Sequence, residues 1–129
     1  MVNADLQSAY IDKADLSHAD LSNVNLTGAA IKDTDLTGTN LKSANLLHAH
    51  FHGSCLDGAQ LENARMEHAI FQGASLRYAK LIGAYLHSTN FENANLEGAD
   101  LSGAEAFEKS SVSGAKLNGA IMPDGTRHD

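Results

Sequence analysis

The sequence contains one cysteine and one proline, no tryptophan, and aromatic residues at only 5% of its positions. A single cysteine cannot form an internal disulfide, which favours a reducing, cytoplasmic compartment. The opening stretch MVNADLQSAY has neither the basic nor the apolar segment of a secretory signal. No apolar run approaches the ~20 residues that a membrane-spanning helix needs. Secretion and membrane insertion are therefore not expected.

Basic side chains are also scarce. Nine Lys and Arg residues stand against 16 Asp and Glu residues, which gives a formal net charge of −7 over 129 residues. Direct nucleic-acid binding is disfavoured, because it relies on positive side chains that neutralise phosphates. The length suits a single domain, placed at residues 1–129. Hydrophobic residues make up 43% of the chain, but many are alanine, so an ordinary globular core is difficult to build.

A five-residue period runs through most of the chain. Every fifth position from Leu6 to Leu101 carries Leu, Ile, Phe or Met. The position two residues earlier, from Ala4 to Ala99, carries Ala, Ser, Thr or Val. This period matches neither an α-helix nor a β-strand. It predicts a chain that turns a corner every five residues and points one large and one small side chain of each unit inward.

Four such units predict a square coil of twenty residues, in which residues twenty apart stack in one column. Phe51, Phe71 and Phe91 are spaced in this way, and Ile11 and Ile31 precede them. Successive coils should lie ~4.8 Å apart and bond backbone to backbone as in a parallel sheet. The sequence therefore predicts an all-β solenoid of about six coils, each made of four pentapeptides.

The five-residue register slips by one residue near 104–107. After Leu101 the next large residues are Phe107 and Val112, and the small inward position before Phe107 falls on Glu105. We expect repeats over about 4–103, a bulge or bent corner at the slip, a last coil over 107–122 and a C-terminal tail over 123–129.

The N-terminal end of the predicted coil lacks a visible cap, because only three residues precede the first repeat. Repeat proteins normally carry capping units, and exposed strand edges tend to pair. Self-association through this end is one expectation. A frayed first coil in a monomer is the alternative.

Units of the form A(D/N)LXX, such as ADLSH at 14–18 and ADLSG at 99–103, cover residues 4–122. In these units the chain resembles the pentapeptide-repeat family. The resemblance implies a right-handed quadrilateral β-helix. The ending MPDGT at 122–126 is similar to that of many cyanobacterial members, which implies a small cyanobacterial protein. Most members have no assigned activity, so the resemblance implies a fold more than a function.

One branch of that family consists of long, acidic dimers that imitate B-DNA and modulate the type II topoisomerase gyrase. The sequence departs from this branch because it is short and has no helix after Met122 through which such proteins dimerise. Its charge is also interrupted: residues 1–40 carry −4, residues 41–80 carry +1 and residues 81–129 carry −4. For these reasons a DNA-mimicking modulator of gyrase is the alternative function and not the expected one.

The stretch HAHFHGSC at 48–55 has the composition of a metal site. The register places His50 and His52 outward on one side of the coil, His48 at the preceding corner and His68 directly above His48. Cys55 faces a different side. Four converging ligands are not evident, so no metal or cofactor is expected, and a loose cluster with two good ligands is the alternative.

A packed square prism has flat sides and no pocket of the usual ligand size, so catalysis is not expected. We expect a non-catalytic protein-interaction or scaffold module with an unidentified protein partner. Three tyrosines point outward but lie in different columns: Tyr10, Tyr78 and Tyr85. The least acidic zone is the expected partner surface, and it comprises His48, His50, His52, Arg65, His68 and Arg77.

Overall fold

The computed structural model describes all 129 residues. Parallel β-bridges join every fifth residue to the residue twenty positions later, without interruption from the Asp5–Asn25 pair to the Tyr85–Glu105 pair. Four five-residue units therefore complete one coil, and the predicted stacking of residues twenty apart is confirmed. The chain is a β-helix in which each unit contributes one bridge residue and no longer strand. Its single helix is a 3-10 helix at Phe107–Lys109, and no helix has the length and hydropathy to cross a membrane.

The core is a column of large side chains surrounded by small ones. Every large residue of the series from Leu21 to Leu101 is at most 1% exposed. The rings of Phe51 and Phe71 stack with centroids 4.6 Å apart, and those of Phe71 and Phe91 with centroids 5.6 Å apart. Their separation is close to the distance between bonded strands of a sheet, so the aromatic column follows the rise of the coil.

The corners are turns with one left-handed residue. In a typical unit the amide of Ala9 donates to the carbonyl of Leu6 at 3.0 Å, and Ser8 between them has φ +60°. A type II turn requires positive φ at its third residue, which is why glycine and asparagine recur there. His48, His68 and Tyr78 occupy the same turn position with φ between +58° and +59°.

Aspartate before the large residue holds the turn from its side chain. Asp15 Oδ1 accepts hydrogen bonds from the Ser17 amide at 3.0 Å and from the Ser17 hydroxyl at 2.6 Å. These two bonds lower the pKa of Asp15. Asn25 accepts the same pair of bonds from Thr27. The A(D/N)L pattern is thus a local bonding requirement of each corner.

Threonine replaces alanine at a few small inward positions, and its hydroxyl group is hydrogen-bonded there. Thr39 Oγ1 donates to the Leu16 carbonyl at 2.8 Å, and Thr89 Oγ1 donates to the Met66 carbonyl at 2.8 Å. Both threonines are fully buried. Each bond joins one coil to the preceding one, so these polar side chains are compatible with the core.

The register changes between Glu105 and Ser111. From the Asn90–Ser111 pair to the Asp100–Ile121 pair the parallel bridges join residues 21 apart. The additional residue lies in the corner that contains Ala106, with φ +60°, and the 3-10 helix. The expected inward position of Glu105 is wrong: it is exposed and bridges to Tyr85, because the additional residue follows it in the chain.

The two ends of the coil differ. Residues 122–128 fold back on the last coil, where the Met122 amide donates to the Thr126 carbonyl and the His128 amide to the Ala120 carbonyl, each at 2.7 Å. At the other end Leu6 is only half-buried. Self-association through that end stays a prediction.

Loss of one core ring should destabilise the protein markedly. Phe71→Ala should lower the free energy of unfolding by about 3–5 kcal/mol, because it leaves a cavity between Phe51 and Phe91. Phe71→Leu supplies the commonest residue of the large series and should cost clearly less. Urea unfolding followed by circular dichroism measures both losses. Equal losses for the two variants would contradict a contribution of the ring stack.

Candidate functional site

Three histidines form a ladder along one corner of the coil. The rings of His48 and His68 are stacked, with centroids 4.9 Å apart and planes 14° from parallel. His87 adds an edge-to-face contact with His68, its centroid 6.0 Å away. The sequence predicted the first pair because its members are twenty residues apart. The sequence did not single out His87, which directly precedes the corner residue Ser88.

His50 and His52 lie on the next side, on either side of the buried Phe51. Their ring centroids are 5.9 Å apart, as expected for outward neighbours of one inward residue. His52 is half-buried, and its Nδ1 atom is buried without a hydrogen-bond partner. Burial, and then the positive charges of Lys32 and His50, lower the pKa of His52. This imidazole is therefore biased towards its neutral form.

Arg65 lies on the same side of the coil as the histidine ladder. Its Nε atom is 3.5 Å from Glu67 Oε1. The arginine side chain is 56% exposed, so water screens this ion pair and leaves the guanidinium accessible. The second carboxylate oxygen of Glu67 is buried without a partner. Arg65 and the four histidines His48, His50, His52 and His68 thus occupy two adjoining sides, and we call these five residues the histidine face.

Arg77 lies one corner away from the histidine face. It follows Leu76, on the side whose bridge column contains Cys55 and Ser75. Its guanidinium carbon is 5.4 Å from the ring centroid of Tyr78, and its Nε atom is 3.6 Å from a Glu97 carboxylate oxygen. The structure therefore brings together five of the six predicted surface residues and places Arg77 in a separate contact with Tyr78.

The metal-like composition of residues 48–55 is not matched by a converging set of three or more ligands. No group of three or more His, Cys, Asp or Glu side chains is arranged to hold an ion. Cys55 is half-buried on another side, with its Sγ atom 3.3 Å from Thr37 Oγ1. The looser two-ligand cluster stays a prediction.

One depression interrupts the flat sides, so the expectation of a surface without a pocket is wrong. It has a volume of about 370 Å³. We call this depression the notch. It is lined by Ser8, Tyr10, Gly28, Ala30, Lys32 and His50. Gly28 stands between Ser8 and His48 in one column, and Ala30 stands between Tyr10 and His50 in the next. The missing side chain of Gly28 and the single methyl group of Ala30, in adjoining columns, create the notch. Reading each column separately in the sequence would have revealed it.

The geometry described so far defines a β-solenoid repeat protein. Two family models match the sequence: a pentapeptide repeat region over residues 32–101, and pentapeptide repeats in eight copies over residues 1–38. The chain belongs to the pentapeptide repeat family, which confirms the resemblance that its A(D/N)LXX units indicate. A search of curated proteins finds no significant match.

Solved structures with the same fold include HetL, a pentapeptide repeat protein involved in heterocyst differentiation regulation in the cyanobacterium Nostoc sp. strain PCC 7120. HetL is 30% identical, with a TM-score of 0.69 over 99% of this chain and 65% of the HetL chain. This chain therefore spans slightly less than two thirds of the length of HetL.

Two more distant structures share the fold alone. A pentapeptide repeat protein of the Arabidopsis thaliana thylakoid lumen is 22% identical, with a TM-score of 0.63 over 77% of this chain and 66% of the other. A trypsin-treated variant of QnrB1, a plasmid-mediated fluoroquinolone resistance protein, is 19% identical, with a TM-score of 0.59 over 93% of this chain and 68% of the other.

His52 should make the folded chain less stable in mild acid. Its pKa is below 6.5 in the folded chain, so the unfolded chain binds a proton more readily at this residue. The stability is therefore complete above pH 6.5 and decreases as the pH falls below 6.5 towards the lowered pKa. His52→Gln matches Gln72 one coil later and removes this titration. Urea unfolding at a series of pH values should give a shallower loss for the variant, and superimposable losses would oppose this explanation.

Proposed function

We propose that this chain is a non-catalytic protein-interaction module. In this proposal the fold is a right-handed square rod of about six coils that presents the histidine face to a protein partner. The observation that supports it most strongly is the arrangement of the face: four histidines and Arg65 project from a continuous, buried core. A surface held in this way loses little conformational entropy when it binds.

The charge of the surface supports the same assignment. The histidine face lies within residues 41–80, which carry +1, whereas the segments on both sides carry −4 each. Partly aromatic, weakly cationic patches are the composition that protein interfaces favour, because they combine apolar contact with hydrogen bonding. Arg77 over Tyr78 is a second patch of this kind, and we include it in the proposed surface.

The comparison with HetL supports a regulatory role. That protein is described as involved in the regulation of heterocyst differentiation, and it is the relative with 30% identity over 99% of this chain. We propose a regulatory or scaffolding role of this general kind. The lowered pKa values of Asp15, Asp20 and Asp124 arise from hydrogen bonds within turns, which is a structural and not a catalytic use of carboxylates. A cytoplasmic location is part of the proposal, supported by the single free cysteine.

The DNA-mimicking alternative has weaker support. A protein that imitates B-DNA needs acidic side chains in continuous tracks along the rod. Asp15 and Asp35 are neighbours in one bridge column, but Cys55 and Ser75 follow them. Asp20 in the next column is followed by uncharged residues and then by Lys80. Acidic tracks therefore end after one or two coils.

An affinity capture from a cyanobacterial lysate tests the proposed function. The wild-type bait is compared with a variant whose five histidine-face residues are changed to serine: His48→Ser, His50→Ser, His52→Ser, Arg65→Ser and His68→Ser. A partner should be retained by the wild type and lost from the variant, with affinity at least about tenfold weaker, because central interface residues dominate binding. A separate Arg77→Ser bait tests the second patch.

A control bait carries substitutions on another side of the coil: Lys42→Ser, Gln60→Ser, Asn63→Ser and Lys80→Ser. Circular dichroism establishes that every bait is folded. Equal retention by the control and the histidine-face variant would overturn the proposal. Gyrase subunits among proteins retained by all baits would favour DNA mimicry instead.

A further inference from the structure

The notch lies beside the histidine face and shares His50 with it. Parallel bridges join Tyr10 to Ala30 and Ala30 to His50, so these residues occupy three successive coils of one column. Tyr10 and His50 are therefore roughly 9–10 Å apart along the rod, with only a methyl group between them. Gly28, which has no side chain, forms the floor at the adjoining corner.

The spacing of the coil favours an aromatic ring in this gap. Elsewhere on the rod, rings one coil apart stack with centroids 4.6 Å apart for Phe51–Phe71 and 4.9 Å apart for His48–His68. A ring seated over Ala30 would be one coil from Tyr10 and one coil from His50. It would contact both at a comparable distance, within the range in which aromatic pairs attract.

Tyr10 is left without a partner in the folded chain. It is 88% exposed, the most exposed large apolar side chain of the molecule. Tyr78, at 62%, already lies beneath Arg77, and Tyr85 is 40% exposed. Since an exposed tyrosine next to a depression buries a large area when a ligand fills it, Tyr10 has the properties of an interface anchor.

Lys32 favours a ligand that carries a negative charge. It lines the notch and is exposed, and the ion pairs of the chain involve only Arg65 with Glu67 and Arg77 with Glu97. Asp12 Oδ1 accepts a hydrogen bond from the Lys32 backbone amide at 2.9 Å, but Asp12 makes no ion pair with the Lys32 ammonium. The ammonium of Lys32 is therefore available to a carboxylate from outside.

We propose that the notch binds an aromatic side chain of a partner protein, stacked between Tyr10 and His50, with an adjacent Asp or Glu of that partner paired to Lys32. This proposal rests on the proposed function, because it names the chemistry of the partner that the histidine face meets. Charge complementarity at Lys32 selects an acidic aromatic segment over a purely apolar one.

The test uses the full chain and three blocked tripeptides: acetyl-Glu-Trp-Glu-amide, acetyl-Glu-Leu-Glu-amide and acetyl-Gln-Trp-Gln-amide. NMR titration should show the first peptide shifting the resonances of Tyr10, Ala30 and His50. The Leu and Gln peptides should bind at least about threefold more weakly, through loss of the ring or of the charge. Equal binding of all three peptides, or no binding of the first, would overturn the proposal.

Matched variants locate the binding. Ala30→Ile introduces the residue found at Ile70 in the same column and should abolish binding by filling the notch. Gln60→Ile adds the same side chain at the equivalent position of another side and should leave binding unchanged. Lys32→Gln should weaken binding at least about threefold, whereas Lys42→Gln, at the same turn position of another side, should not. Unaltered binding to Ala30→Ile would overturn the proposal.

Other occupants have distinct signatures. Indole-3-acetate binding as tightly as the first peptide would identify a free aromatic acid and overturn the assignment to a protein. Loss of concentration-dependent sedimentation in Ala30→Ile, without peptide binding to the wild type, would identify a second copy of this chain and likewise overturn it. A partner captured equally by Ala30→Ile and wild-type baits would overturn the notch proposal while leaving the proposed function intact.

Discussion

The hydrogen bonds between successive coils are the interaction on which the rest of the molecule depends. In a typical unit, two amides donate to the coil above and one to the coil below. Leu26 donates to Asn45 at 2.8 Å, Gly28 donates to Leu47 at 2.9 Å, and Asn25 donates to Ala4 at 2.9 Å. This ladder sets the rise of the coil. It leaves room for one large and one small inward side chain per unit and repeats every outward position at the same interval. The stacked phenylalanines inside and the stacked histidines outside are two results of that one spacing.

The parts of the fold that follow from this spacing could be predicted from the sequence. The column of Phe51, Phe71 and Phe91 and the outward pair His50 and His52 needed only the five-residue period and the count of four sides. The register slip near 104–107 also follows from the period, but the exact position of the additional residue within it does not. Any insertion between Leu101 and Val112 restores the later columns equally well, and only local turn geometry places it after Glu105.

The candidate site shows the same division. Stacking of His48 on His68 follows from the period. The contact of His87 with His68 depends on the side-chain conformation of a residue at the adjacent turn position. The notch was visible in principle, because Gly28 and Ala30 are the smallest members of their columns. The five-residue period identifies positions at which the same kind of residue recurs. The notch lies where two neighbouring columns lack a large side chain. We therefore look for function in departures from the repeat, such as histidine and tyrosine at turn positions that suit glycine.

The nearly constant separation of bridged partners, 20 residues in most of the rod and 21 in the last coil, also determines how the rod comes apart. Each coil closes a loop of nearly the same length and contacts only its neighbours, so the entropy of loop closure is nearly the same for every coil. Opening can proceed from an end, one coil at a time, without disturbing the remainder. The corner with the additional residue is a natural boundary for this process, because Phe107, Val112 and Leu117 beyond it are only half-buried. We therefore expect the last coil to open as a unit. The histidine face lies in the middle coils of the rod, which fraying from either end should reach last.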